Sequence, residues 1–130
     1  MYFCFMSSFK DLKLSRQLLN SLEDLGFETP TPIQEKAFPV LMSGRDVVGV
    51  AQTGTGKTLG YMLPLLQNLK FSKQVTPRII VIVPTRELVV QIVENIKDYS
   101  KYNSFRIAGV YGGTNINSQA RDVAQGCDII

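Results

Sequence analysis

Apolar positions along this chain switch between two spacings. Leu18, Leu19, Leu22 and Leu25 line one face of a helix that Ser15 can cap, and Gly26 suits the position after its end. A second helix is predicted with Thr31 as N-cap and Pro32 at its first position. It carries Ile33, Ala37, Val40 and Leu41, should kink at Pro39, and ends before Gly44. Val47-Val48-Gly49-Val50-Ala51 reads as a buried strand, followed by a helix that Pro64 disturbs near its end. Arg78 to Val83 is β-rich and apolar on both faces, the pattern of a buried parallel strand. Leu88, Ile92, Ile96 and Tyr99 mark a helix from Glu87 to about Tyr99. Phe105 to Tyr111 is another strand, Asn117 to Gln125 a short helix, and Cys127-Asp128-Ile129-Ile130 begins one more strand. Strand and helix alternate, so the expected class is α/β, a parallel sheet with helices on both faces. Ligands of such a sheet bind at the C-terminal ends of its strands. The segments after Ala51, Val83 and Tyr111 would share that edge.

Composition narrows the class. At 130 residues, 45% hydrophobic and 19% charged, the chain suits one globular domain. No apolar run approaches the roughly 20 residues of a membrane span. The apolar start, Met1 to Met6, lacks a basic beginning and a small-residue cleavage site, so it makes a poor signal peptide; Met6 is a second candidate start. Cys4 and Cys127 have no ligand spacing and read as reduced thiols of a cytoplasmic protein. Histidine is absent, which excludes His-based nucleophile activation and His metal ligation. A net charge of +3 is compatible with nucleic acid without arguing for it.

Chemistry concentrates in Ala51-Gln52-Thr53-Gly54-Thr55-Gly56-Lys57-Thr58, which reads as a phosphate-binding loop between a strand and a helix. Gly54 and Gly56 let the backbone approach a phosphate, Lys57 can reach the β/γ-phosphates, and the Thr58 hydroxyl can ligate Mg²⁺. The first glycine of the general pattern is Ala51 here. Gln34 offers the donor and acceptor needed for the N6/N7 edge of adenine. It equally fits a capping box, reaching back to the Thr31 amide. Pro84-Thr85-Arg86-Glu87-Leu88 follows its strand directly. Arg86 and the helix-start amides could hold a nucleic-acid phosphate, or form an ordinary strand-to-helix turn capped by Thr85. Gly112-Gly113 could bring amides to a phosphate or simply turn the chain. Phe9, alone in a polar setting, reads as a docking residue.

Taken in order, Gly26–Gln34, Ala51–Thr58 and Pro84–Leu88 resemble the Q motif, motif I and motif Ia of DEAD-box RNA helicases. Phe9 stands 17 residues before Gly26, where that family has an aromatic. Ala51 is the family's usual residue, and Gly112-Gly113 looks like its GG motif. The resemblance covers Phe9 to Ile130 and is bacterial in style, near the RhlE subgroup. It implies a RecA-like P-loop domain over residues 9–130, with residues 1–8 as an extension. It also implies that Phe9 stacks on adenine, Gln34 reads its edge, and Thr31 links the Q motif to the pocket. Thr53, Gly54, Thr55, Gly56 and Lys57 would cradle the phosphates of ATP, and Thr58 would hold Mg²⁺. Lys57 and Thr58 would thus serve catalysis. Pro84, Thr85, Arg86, Gly112 and Gly113 would contact the RNA sugar-phosphate backbone.

The family's Asp-Glu-Ala-Asp, Ser-Ala-Thr and Thr-Pro-Gly-Arg motifs do not occur in these residues. The expectation is an N-terminal part that binds ATP weakly and neither hydrolyses it nor unwinds RNA alone, with an apolar edge left open beside the P-loop strand. Two other readings stand beside this one: a short nucleotide- or RNA-binding module, and an unrelated P-loop NTPase, from which Gln34 separates it.

Overall fold

Local signals set most of the helices. The computed structural model describes residues 8–130; Cys4 and the alternative start at Met6 lie outside them. A 3₁₀ turn, Phe9–Leu12, is capped by Ser8 and leads into α1, Arg16–Asp24. The Ser15 side chain accepts from Leu18 N at 3.4 Å, as its sequence position predicts. α2, Pro32–Met42, starts with Pro at its first position and continues through Pro39. α3, Lys57–Asn68, also continues through its proline, Pro64, which is buried. α4 is Arg86–Tyr99 and α5 is Ile116–Ala124.

The core lies where these helices meet. Leu18 and Leu22 of α1, Met62, Leu63 and Leu66 of α3, and Ile92, Ile96 and Tyr99 of α4 are buried together. α2 packs along α3, and α4 packs on α1 and α3. The inward face of α2 differs from the predicted one. Gln34, Ala37 and Phe38 are buried, while Ile33, Val40 and Leu41 are only half-buried. A polar residue takes the inward place because its amide finds protein partners on the loop that precedes α3.

Three extended segments join in parallel. Ile129 bridges Ile79 on one side and Ile107 on the other. Main-chain hydrogen bonds flank both bridges, from Val81 N to Ile130 O (2.8 Å) and from Ala108 N to Ile129 O (2.9 Å). The segment through Ile107 presses on α4 at Gly109, where a Cβ would come within 2.9 Å of Val93 Cγ2. Cys127-Asp128-Ile129-Ile130 therefore runs between the other two.

Two sequence expectations need correction. Val47 to Ala51 is not a buried strand here: Val48 is 93% and Val50 92% exposed. Among the described residues its backbone has no main-chain hydrogen bond, so no strand pairs with it. Arg78 to Val83 is buried on one face only. Ile79, Val81 and Val83 pack on the core, whereas Ile80 and Ile82 are exposed because no described element lies over them.

A buried ion cluster pins the start of the extended segments. Asp128, buried, pairs with Arg78 Nη2 at 2.8 Å and Arg106 Nη2 at 3.0 Å. It also accepts from Arg106 N (3.0 Å) and Nε (3.1 Å). The Arg106 guanidinium, with Arg78 assisting, holds this carboxyl well below the usual carboxylate range.

Candidate functional site

The loop between Ala51 and α3 is built on two left-handed glycines. Gly54 has φ 79° and Gly56 φ 77°, a region that a Cβ disfavours. Gly56 is the N-cap of α3, and no side chain caps the helix there. The first-turn amides of α3 and the positive end of its dipole thus open onto the loop, the arrangement that binds phosphate. Lys57 Nζ donates to the Ala51 carbonyl, folding the ammonium across the loop. Thr55 Oγ1 donates to Gln52 O at 2.7 Å and closes the turn. Burial pushes the phenol of the half-buried Tyr61 up, against a smaller opposing effect of the Thr58 hydroxyl.

Thr31 and Gln34 tie α2 to this loop. Thr31 Oγ1 donates to Thr55 O at 2.9 Å, and Gln34 Nε2 donates to Gly56 O at 3.1 Å. Gln34 Oε1 accepts from Thr31 N at 2.9 Å, so the capping-box half of the expectation is present. One amide therefore performs both jobs, helix start and loop anchor. It keeps one N–H and one lone pair uncommitted in these contacts. The approach is tight: a Cβ on Gly56 would stand 2.3 Å from Gln34 Nε2.

Phe9 sits in the core at 3% exposure, a docking position. It also lines a cavity of about 420 Å³ together with Gly26, Phe27 and Thr29. Phe27 is the more open aromatic there, 42% exposed.

A second cluster forms at the start of α4. Thr85 Oγ1 accepts from Leu88 N at 3.3 Å and caps the helix. The Arg86 guanidinium lies 4.8 Å from the centre of the Tyr111 ring, which brings Pro84-Thr85-Arg86 beside Gly112-Gly113. Gln119 on α5 holds both main-chain groups of Tyr111. Sequence reasoning named neither Tyr111 nor Gln119 as site residues; an aromatic just before a Gly pair was the available signal. Among the described residues, no hydrogen bond or ion pair joins this cluster to the phosphate loop.

Among the described residues no group of His, Cys, Asp and Glu side chains could hold a metal ion, and no helix is long and apolar enough to cross a membrane.

The family model for "DEAD/DEAH box helicase" matches residues 31–130. The "ATP-dependent RNA helicase DeaD" of Escherichia coli K12 is 46% identical over 127 residues, covering 97% of this chain and 20% of that protein. The "Pre-mRNA-processing ATP-dependent RNA helicase prp-5" of Neurospora crassa is 44% identical over 121 residues, covering 90% of this chain and 10% of its own length. A crystal structure of a DEAD box protein from Methanococcus jannaschii superposes with a TM-score of 0.86 at 31% identity, over 95% of this chain and 34% of that one. The ADP-bound RNA-helicase Prp28 of Chaetomium thermophilum gives 0.84 at 35% identity, over 96% and 31%. The chain thus spans a fifth or less of the curated relatives named here.

Proposed function

The chain belongs to the DEAD/DEAH box helicase family, and from that premise we propose that it forms the nucleotide grip and part of the RNA track of an ATP-dependent RNA helicase. The observation that carries this reading is the pair of bonds from Thr31 and Gln34 to Thr55 O and Gly56 O. They fuse the Q-motif segment and the phosphate loop into one unit.

The residues fit a triphosphate. Gly54 and Gly56 supply the left-handed backbone that the loop needs, and the uncapped α3 amides face it. Thr53 to Lys57 would hold the phosphates, with Lys57 Nζ turning from the Ala51 carbonyl to them. Thr58 would be the protein's hydroxyl toward Mg²⁺. Gln34 would read the adenine edge with its uncommitted N–H and lone pair, and Phe9 would contribute to the aromatic wall at the adenine end. Bound ATP and Mg²⁺ supply a transferable phosphoryl group and the charge neutralisation it needs. Pro84, Thr85, Arg86, Gly112 and Gly113 would contact the RNA backbone rather than its bases, so binding would be sequence-tolerant and salt-sensitive.

Residues 9–130 would form part of a RecA-like domain, a parallel sheet with helices on both faces, preceded by residues 1–8. Without the Asp-Glu-Ala-Asp motif we expect weak ATP binding and no turnover by this segment alone. A cytoplasmic location and a bacterial style belong to the same proposal; the 46% identity to the Escherichia coli protein supports the latter.

Titration with a fluorescent ADP analogue tests the grip. Lys57→Ala should weaken binding at least tenfold, the loss of one charge-assisted phosphate contact of about 1.5–3 kcal/mol. Unchanged affinity would overturn the assignment of the loop.

A further inference from the structure

We infer that Gln119 is a positioning residue for the RNA-backbone site, acting through Tyr111 to set the Arg86 guanidinium; this rests on the RNA reading of Arg86 above. The geometry is specific. Gln119 Oε1 accepts from Tyr111 N at 2.9 Å, and its Nε2 donates to Tyr111 O at 3.0 Å. Nε2 also donates to Thr114 Oγ1 at 2.6 Å, on the far side of Gly112-Gly113. One side chain thus satisfies both main-chain groups of Tyr111, as a neighbouring strand would, and grips both ends of the glycine turn.

The Tyr111 ring held this way lies under Arg86 at 4.8 Å. Arg86 is exposed, and among the described residues no ion pair or hydrogen bond commits its guanidinium. The ring holds the guanidinium at its face, and the exposure of Arg86 leaves it open to a phosphate from solvent. α5 buries none of its residues, so its hold on this loop is this polar clamp rather than packing. Gln119 would therefore transmit the placement of α5 to a phosphate contact it does not itself make.

The test is fluorescence anisotropy with a fluorescein-labelled oligouridylate, over a salt series, on the full chain. Gln119→Ala should weaken RNA binding about three- to tenfold, the range of a lost cation–π support. The log–log salt slope should fall by about one, as for a lost phosphate contact. Affinity for a fluorescent ADP analogue should stay within twofold, which a general loss of fold would not spare. Tyr111→Leu removes the ring without removing the clamp and should give the same loss, keeping the idea testable if Gln119→Ala folds poorly. Arg86→Ala combined with Gln119→Ala should bind within twofold of Arg86→Ala alone. Parent-like binding by Gln119→Ala, or losses that multiply in the double variant, would overturn the inference. If Arg86→Ala itself binds RNA like the parent, the RNA reading of Arg86 fails instead.

Discussion

Gly56→Ala should cost this protein more than Gly54→Ala, although both glycines share one backbone conformation. Their φ angles are 77° and 79°, so an alanine at either pays the left-handed penalty of about 1–2 kcal/mol. The surroundings differ. A Cβ at Gly54 meets nothing within 4 Å, whereas one at Gly56 stands 2.3 Å from Gln34 Nε2. The Gln34 amide would have to withdraw, losing its 3.1 Å bond to Gly56 O, a net contribution of about 0.5–1.5 kcal/mol. Gly56→Ala is therefore expected to destabilise by about 1 kcal/mol more than Gly54→Ala in urea unfolding, with the m-value unchanged. In a Gln34→Ala background the extra cost should vanish, because the amide that clashes is gone. Equal destabilisation by the two alanines in the parent chain would refute the reasoning, and so would an extra cost that survives Gln34→Ala.

Other outcomes follow from the same contacts. Asp128→Asn should destabilise the fold at pH 7, by less than the roughly 3–5 kcal/mol of a broken buried pair, because Arg78 and Arg106 keep 22% and 39% side-chain exposure. The folded carboxyl titrates below its unfolded value of about 3.9, so its contribution is full above that pH and fades as pH falls toward the folded value. Urea curves of parent and variant should accordingly be well apart at pH 7 and converge toward pH 2; a constant gap contradicts the cluster. Val48→Thr and Val50→Thr should each shift stability by less than about 0.5 kcal/mol, since both side chains are open to water. A loss above about 1 kcal/mol, as for burying a hydroxyl, would mean that the run is covered.

The helices were readable because their ends are written in single residues. Ser15, Thr85 and the Thr31-Pro32 pair each mark a start that the structure keeps. The phosphate loop was readable for a similar reason: two glycines at fixed spacing before Lys57 leave few other backbones. Gln34 was ambiguous in sequence because an adenine contact and a capping box use the same amide; the structure shows the capping bond to Thr31 N and adds a bond to Gly56 O that the sequence did not announce. The strands were misjudged where burial depends on neighbours. Val48 and Ile82 look like core residues locally, yet no described element reaches them. Gln119 and the Asp128 cluster were invisible, because their partners lie 8 and 22 to 50 residues away and no periodicity reports such pairings.

The central claim is that Gln34 and the phosphate loop form one adenine-nucleotide site. Its most direct test is the ratio of GTP to ATP dissociation constants for the parent protein and for Gln34→Ala. A bidentate edge contact is worth about 1–3 kcal/mol, so the parent should favour ATP by about tenfold or more. Gln34→Ala should bring the ratio close to one, even if both affinities fall together through the lost bond to Gly56. A preference for ATP that survives Gln34→Ala unchanged would contradict the account.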